Sequence, residues 1–220
     1  KIPENKKSYM FENLKNIRCL SCREKVGAKE LEMLLKRPVK HVLDPTLMLN
    51  QEQWSELAAE IKVKTPYLLC FFLGSMSYER KLAKAIAKKL GLNVIMICGS
   101  PADTFSTIHK VKGCTPQNFI WLFKNASFIC TDSFHGTSFA INFRKPFYVF
   151  KRRGYDSEYS YASRLQNILE IVGMTSRLLS PLTSLNELSF ELDYKSAEVS
   201  LENMKQTSLK YLLDAIENCG

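Results

Sequence analysis

The stretch SFICTDSFHGTSFAINFRKPFYVF, residues 127–150, joins two short apolar segments through a helix-like segment. Its pattern predicts a strand over 127–131, a helix over 135–143 and a strand over 146–150. Two strands joined by a helix of this length form a right-handed unit in which the strands run parallel. His135, one of only three histidines in the chain, follows the first strand. The stretch therefore predicts a parallel sheet with a histidine at its carboxyl edge.

The same alternation of strand-like and helix-like segments continues through the rest of the chain. Further strands are predicted over 16–22, 38–44, 67–74 and 93–100. Further helices are predicted over 29–37, 50–62, 77–91, 115–126, 162–173 and 196–218. Alternating strands and helices indicate an α/β protein with Rossmann-like parallel sheets.

The predicted strands are unevenly distributed, which suggests three parts. Residues 65–185 hold at least four strands with their helices and are expected to form a C-terminal Rossmann-like domain. Residues 1–64 hold only two strands, so we interpret them as the C-terminal part of an N-terminal α/β domain. Residues 186–220 are expected to form a helix that packs back on the domains. Because the chain begins with Lys1 and not Met, we expect a fragment or a processed chain.

The composition is that of a globular protein with a basic surface. The 220 residues are 45% hydrophobic and carry a formal net charge of +9. No stretch approaches the roughly 18 uninterrupted apolar residues of a membrane span, and the charged start does not resemble a signal peptide. The lysines are scattered over helix-like segments, which favours solvated faces over a nucleic-acid surface. We expect a cytoplasmic protein whose partner is an anionic small substrate or an anionic membrane surface.

The cysteines point to a reducing compartment. There are seven, and Cys70, Cys98 and Cys130 lie within apolar strand-like segments, as buried free thiols do. Cys19 and Cys22 have the spacing of zinc ligands, but no second pair follows them. We therefore expect no metal site.

Polar residues follow the strand predicted over 127–131. Asp132 and Ser133 are both suitable N-caps for the next helix. His135 then falls in the first helical turn, and Gly136 allows a ligand or the neighbouring strand to approach closely. Because a helix N-terminus offers unpaired N–H groups and a partial positive charge, this junction is suited to binding an anion.

Cationic side chains follow the next strand of the same sheet. Lys151, Arg152 and Arg153 come directly after it, and Ser163 and Arg164 lie at the start of the helix beyond. Since the carboxyl ends of parallel strands meet at one edge, these side chains are expected to converge with His135. Such a cluster would bind a phosphate, a carboxylate or both.

Several segments resemble the polysaccharide pyruvyl transferase family, in the family's order. TDSFHGTSFAINFRKPF (131–147) resembles the signature of that family. Similar segments are SCRE (21–24), VLDPTLML (42–49), YLLCFFLG (67–74), TPQNFIWLFKNASFICT (115–131) and SRLQNILEIVG (163–173). The resemblance extends from about Leu14 to Arg177.

The resemblance implies both an architecture and a reaction. Members of the family have two Rossmann domains that face each other across a cleft, the GT-B arrangement, so most of the N-terminal domain is missing from this sequence. They transfer pyruvate from phosphoenolpyruvate (PEP) to two hydroxyls of one sugar as a cyclic ketal. The implied setting is the biosynthesis of bacterial capsule or exopolysaccharide, at the inner face of the membrane if the acceptor is lipid-linked. PEP is the donor substrate, and no other cofactor is expected.

The resemblance also implies roles for individual residues. His135 would contact the phosphate and act as general acid, while Arg23 would reach in from the other domain. Glu24 and Asp44 are candidates for the base that accepts a proton from the sugar hydroxyl. The remaining expected substrate-binding residues are Ser133, Phe134, Gly136, Arg152, Arg153, Ser163 and Arg164. Both carboxylates have ordinary alternatives, since Glu24 could pair with an arginine and Asp44 could be a turn residue.

Two other functions stay open on the sequence. A glycosyltransferase of the same architecture would use His135 and Arg164 to hold the diphosphate of a nucleotide sugar. A non-catalytic domain would use the same cluster only to bind an anion.

Overall fold

The computed structural model describes residues 2–75, 77–98, 109–152 and 161–217. Its helices are α1 Glu4–Leu14, α2 Lys25–Leu35, α3 Gln51–Glu56, α4 Ser77–Leu90, α5 Pro116–Asn125, α6 Phe134–Asn142, α7 Tyr161–Ile171 and α8 Lys195–Glu217. Its strands are β1 Ser21–Cys22, β2 Lys40–His41, β3 Tyr67–Phe71, β4 Asn93–Ile97, β5 His109–Val111, β6 Phe128–Thr131, β7 Phe147–Phe150 and β8 Leu178–Leu179.

Six of these strands form one sheet in the order β5-β4-β3-β6-β7-β8, and every pair of neighbours is parallel. This confirms the predicted α/β class and the parallel sheet. The order reverses between β3 and β6, as it does in doubly wound Rossmann-like sheets. Ligands bind such sheets in the crevice outside the strand ends at this reversal. The crevice here lies next to the start of α6, where the sequence placed the histidine.

Alternating side chains cover the two faces of the sheet. Tyr67 and Leu69 of β3 belong to a large core that also contains residues of α5, α6, α7 and α8. Leu68 and Cys70 of the same strand belong to a second core under α4. Because both faces are covered by helices, the central strands are nearly continuous apolar runs, as in other buried parallel sheets.

The N-terminal quarter differs from the sequence prediction. Instead of strands over 16–22 and 38–44, the only pairing is between the two-residue strands β1 and β2. The chain before β1 is held as a loop, because the guanidinium of Arg37 donates to the carbonyls of Leu14, Ile17 and Arg18. Helix α1 was not predicted, and none of its residues is buried.

Two strands at the edges of the large sheet were also missed. β5 has three residues and β8 has two, so neither is long enough to show a period of two. Two of the predicted strands end earlier than expected, β3 at Phe71 and β4 at Ile97, whereas β6 and β7 end where predicted, at Thr131 and Phe150.

The segment between β2 and β3 packs against the large sheet domain. Leu43 and Leu47 belong to the main core, and the ring of Trp54 lies edge-on to Phe139 of α6 at a centroid distance of 4.9 Å. The side-chain amide of Asn142 donates to the carbonyl of Thr46 at 2.6 Å. Residues 43–63 thus share a core with the C-terminal sheet, whereas Ala28, Leu35 and Val39 form a separate small core. The domain boundary expected at 64/65 stays a prediction.

Helix α8 packs against the segment between β2 and β3. Ala197 and Leu201 lie in the main core, and the buried hydroxyl of Ser208 accepts a hydrogen bond from the backbone N–H of Leu43 at 2.9 Å.

Within the described part of the chain, no helix has the length and apolar character needed to cross a membrane.

Removal of the Ser208 hydroxyl tests how much its hydrogen bond to Leu43 stabilises the contact between α8 and the N-terminal segment. We expect Ser208→Ala to lower the free energy of unfolding by about 1–3 kcal/mol, because the buried N–H of Leu43 loses its acceptor. The neighbouring Thr207→Ala is the matched control, because that hydroxyl is exposed and bonds only within its own helix. Urea denaturation of both variants measures the difference. Equal stabilities would show that this hydrogen bond does not stabilise the contact.

Candidate functional site

The junction between β6 and α6 is capped by Ser133. Its hydroxyl oxygen accepts a hydrogen bond from the N–H of Gly136 at 3.4 Å, so the N-cap is Ser133 and not Asp132. Phe134 and His135 occupy the first turn, where Phe134 is half-buried and His135 is exposed. The histidine is therefore available to a ligand at the carboxyl edge of the sheet.

Asp132 instead ties together the loops that follow three strands. Its carboxylate is buried and accepts from the N–H groups of Leu73 and Gly74, each at 2.7 Å. It also accepts from Nε of Arg152 at 2.7 Å, while Nη2 of that arginine donates to the carbonyl of Asp132 at 3.2 Å. A single carboxylate thus fixes the chain after β3, β6 and β7.

These contacts change the interpretation of the arginine pair after β7. Arg152 was expected to hold substrate, but its guanidinium is bound to Asp132 and its side chain is only 15% exposed. Arg153 lies outside the described residues. Ser163 lies in the first turn of α7, and its side chain is also outside the described part of the chain.

The first cation of the site comes from the N-terminal quarter. Arg23 follows β1 and forms an ion pair with Asp44, which follows β2. The hydroxyl and the N–H of Thr46 donate to the other carboxylate oxygen at 2.7 and 3.0 Å. The carboxylate of Asp44 is only 2% exposed, whereas Arg23 is 37% exposed. Asp44 therefore holds the arginine in place and caps the short 3-10 turn Pro45–Leu47.

The environment of Asp44 lowers its pKa below the ordinary value of 3.8. Burial is the largest single influence and acts to raise the pKa, but it is outweighed by the hydrogen bonds from Thr46 and Arg23 together with the charge of Arg23. The group is therefore held as a carboxylate with several donors around it.

The second cation comes from α7. Nε of Arg164 lies 2.5 Å from a carboxylate oxygen of Glu24, and the two side chains are 31% and 27% exposed. Glu24 directly precedes α2, so this ion pair connects the N-terminal quarter with the sheet domain. The sequence left open whether Glu24 pairs with an arginine, and the structure shows this ion pair.

Phe134 connects the first ion pair with the start of α6. The guanidinium carbon of Arg23 lies 5.5 Å from the centre of the Phe134 ring, a cation–π distance. The Phe134 and His135 rings meet edge to face at 5.6 Å. The structure therefore brings Arg23 beside the first turn of α6, and its partner Asp44 with it.

His41 was not among the predicted site residues. Its Nε2 lies 3.4 Å from Nδ2 of Asn167, which is one turn after Arg164 on α7. Its pKa is lowered, mainly by burial and also by the charge of Lys25, while a hydrogen bond to the backbone of Arg23 opposes the shift. The sequence carried no clear signal for this, because the predicted strand ran over 38–44 and placed His41 in its middle, whereas the observed β2 ends at His41.

Gly136 faces the strand and not a ligand. A Cβ at this position would meet Oγ1 of Thr131 and lie 3.1 Å from its Cβ. The hydroxyl of Thr131 donates to the carbonyl of Phe71 at 2.6 Å and accepts from the N–H of Ser133 at 3.1 Å. We expected this glycine to let either a ligand or the neighbouring strand approach closely, and the close approach of the strand is observed.

Within the described ranges, no group of three or more His, Cys, Asp or Glu side chains is placed to hold a metal ion. The chemistry of the cluster is that of two arginines, their carboxylate partners and an exposed imidazole. Such a set can bind an anion and transfer protons.

The contact between Gly136 and Thr131 can be tested by adding the missing methyl group. We expect Gly136→Ala to lower the free energy of unfolding by about 1–3 kcal/mol, because the added carbon overpacks a buried junction. The double variant Gly136→Ala/Thr131→Ala should lose less than the sum of the single variants, because the clash is gone. Chemical denaturation measures all three, and simple additivity would contradict the assigned contact.

The Asp44 contacts predict a pH-dependent stability. Because the folded pKa is lowered, the carboxylate stabilises the fold above its unfolded pKa, and this contribution is lost as pH falls through the folded pKa. We expect Asp44→Asn to cost about 1.5–3 kcal/mol at pH 7, the range for hydrogen bonds to charged groups. As the pH falls below 3.8, the ordinary pKa of this group, the stability difference between the variant and the unsubstituted protein should shrink. Denaturation curves across that range test this, and a constant difference would contradict it.

One comparison with known proteins identifies the family. A model of the family described as polysaccharide pyruvyl transferase matches residues 1–153, which include Arg23, Asp44 and the whole β6–α6 junction. The match ends before α7, so Arg164 lies outside it. A search of curated proteins finds no match. Neither result supports the nucleotide-sugar alternative. Since the match covers more than half of the 220 residues, the chain belongs to the polysaccharide pyruvyl transferase family.

Proposed function

We propose that this protein transfers pyruvate from PEP to two hydroxyls of one sugar in a surface-polysaccharide precursor, releasing phosphate and leaving a cyclic ketal. One observation carries the proposal. In a chain of the pyruvyl transferase family, Arg23 lies against Phe134 in the first turn of α6, next to the exposed His135. The N-terminal quarter and the sheet domain thus both contribute to one cluster.

The donor would bind between the two arginines. PEP carries a phosphate and a carboxylate, and guanidinium groups bind both through paired hydrogen bonds. Arg23 and Arg164 are each about one-third exposed and are held by Asp44 and Glu24. The first turn of α6 adds its backbone N–H groups and partial positive charge. Arg152 is left out of this donor site because Asp132 already compensates its charge.

The reaction needs two hydroxyl additions at carbon 2 of PEP. In the first, a sugar hydroxyl forms a C–O bond at carbon 2 and loses its proton, while carbon 3 gains a proton and becomes a methyl group. The C–O bond to phosphate then breaks, and phosphate leaves with the bonding electrons and a proton. The second hydroxyl adds to the resulting oxocarbenium carbon and loses its proton. His135 is the proposed general acid in these steps, and it would act from its contact with the phosphate group of PEP.

Glu24 is the better candidate for the base. Asp44 is buried, has a lowered pKa and accepts hydrogen bonds from Thr46 and Arg23, all of which weaken it as a proton acceptor. Glu24 is more exposed, so its carboxylate is easier for a sugar hydroxyl to reach. His41 would support Arg23 through its backbone hydrogen bond.

The architecture and setting remain part of the proposal. Residues 1–64 would belong to the N-terminal domain of a GT-B pair, with Arg23, Glu24 and Asp44 on its side of the cleft. The acceptor would be a sugar, lipid-linked where the protein associates peripherally with the inner face of the membrane. No nucleic acid takes part.

Donor binding tests these assignments directly. We expect His135→Ala and Arg164→Ala each to weaken PEP binding by about 1.5–3 kcal/mol, the range for hydrogen bonds to charged groups. His109→Ala, an exposed histidine in β5, is the matched control and should bind PEP normally. Titration calorimetry measures all three. Unchanged affinity in the His135 or Arg164 variant would remove that residue from the donor site.

Turnover tests the reaction. The protein is incubated with PEP and a series of sugars that carry neighbouring hydroxyls, free, as nitrophenyl glycosides and lipid-linked. Phosphate release together with a new ketal methyl signal in the proton NMR spectrum would support the proposal. PEP binding without any phosphate release across the series would favour a domain that only binds an anion.

A further inference from the structure

A cavity of about 740 Å³ lies beside His135, on the side of the sheet edge formed by β3, β4 and β5. Its described lining includes Phe71 at the end of β3, Val111 at the end of β5 and Thr115, the N-cap of α5. Among the residues of the proposed donor site, the described lining includes only His135. The imidazole therefore borders the cavity as well as the ring of Phe134 beside Arg23.

The described walls of this cavity are mostly apolar. Phe119 packs edge-on against Phe71 at 5.1 Å and against the buried Phe139 at 5.6 Å, so the half-buried rings of Phe71 and Phe119 form an aromatic wall supported by Phe139. Phe71 and Phe119 are only half-buried, although they stand at the edge of a buried sheet. The described lining contains no carboxylate, and its one permanently charged side chain is Lys112.

This lining does not suit PEP. A small, multiply charged anion loses its hydration when it is placed against phenylalanine rings and recovers little of that cost from one lysine. Most of the aromatic surface would also stay uncovered by a three-carbon acid. The volume lies within the roughly 300–1,000 Å³ of pockets that hold drug-sized ligands, which are largely apolar with a few polar groups.

We infer that this cavity binds the acceptor: a neutral sugar that carries an apolar group and lays that group and the apolar face of its ring against Phe71 and Phe119. The inference rests on the proposed function, since it names the partner of the donor. With the acceptor in the cavity and PEP at the arginines, the hydroxyls would meet carbon 2 of PEP beside His135. The imidazole would then lie between the two substrates, which a proton-transfer group requires.

Kinetics with PEP and a p-nitrophenyl glycoside that the protein turns over test the inference in the whole protein. We expect Phe119→Ala to raise the acceptor KM at least tenfold and to leave the PEP KM within twofold. Phe119→Leu, which keeps most of the apolar volume, should give a smaller rise. Phe190→Leu is the matched control, because Phe190 is similarly half-buried but packs in the other core with Phe128. An acceptor KM no higher than that of the control, or an equal rise in both KM values, would overturn the assignment.

Thiol protection gives a second test that needs neither turnover nor a variant. Cys98 and Cys114 line the cavity, whereas Cys19 lies before β1 and serves as internal control. We expect the p-nitrophenyl glycoside to slow maleimide labelling of Cys98 and Cys114 at least fivefold, with Cys19 unchanged. PEP alone should protect neither. Protection by a nucleotide instead of the glycoside, or no protection by the glycoside, would overturn the inference.

The two proposals fail in different ways. If PEP does not bind, the proposed function fails, and thiol protection by the glycoside still decides what the cavity accepts. If PEP binds and is turned over but labelling and the acceptor KM are unaffected, the function stands and the acceptor binds elsewhere.

Discussion

The buried carboxylate of Asp132 is the contact on which the edge of the sheet depends. It binds the backbone N–H groups of Leu73 and Gly74 and the guanidinium of Arg152, so the chain after three neighbouring strands is fixed by one group. Parallel strands do not fix their own loops, because their ladder hydrogen bonds end where the strands end. With this carboxylate in place, the first turn of α6 has a defined position, and so does the exposed His135. A buried charge of this kind is costly unless it is fully paired, and these contacts supply the partners.

The two exposed arginines of the site are held in place by carboxylates. Asp44 holds Arg23, and Glu24 holds Arg164, while both arginine side chains keep about one-third of their surface in solvent. Long flexible side chains lose entropy when a ligand immobilises them, so arginines that are already ordered bind an anion at lower cost. The pair of Arg164 and Glu24 also joins the N-terminal quarter to the sheet domain. The proposed anion site would therefore use one of the contacts that hold these two parts together.

Local pattern was enough to predict the central part of the fold. The stretch 127–150 forms a strand, a helix and a strand close to the expected bounds, because each element buries enough residues to show its own period. The position of Arg23 beside the start of α6 agrees with what the family resemblance implied, but the edge rule alone did not predict it, because β1 lies in a separate two-stranded sheet. Local pattern failed where elements are very short, as in β5 and β8, and where a side chain replaces strand pairing, as Arg37 does before β1.

The sequence by itself determined the parallel sheet, the edge where its chemical groups gather and the identity of its exposed histidine. Only the tertiary structure decided which charge each arginine meets. Arg152 pairs with a buried aspartate, Arg23 and Arg164 pair with carboxylates of the N-terminal quarter, and His41 joins them from a neighbouring strand. The physical reason is the length of the arginine side chain. Periodicity determines where the backbone turns, but an arginine side chain is long enough to contact any of several partners. The packing of the elements decides which partner it meets.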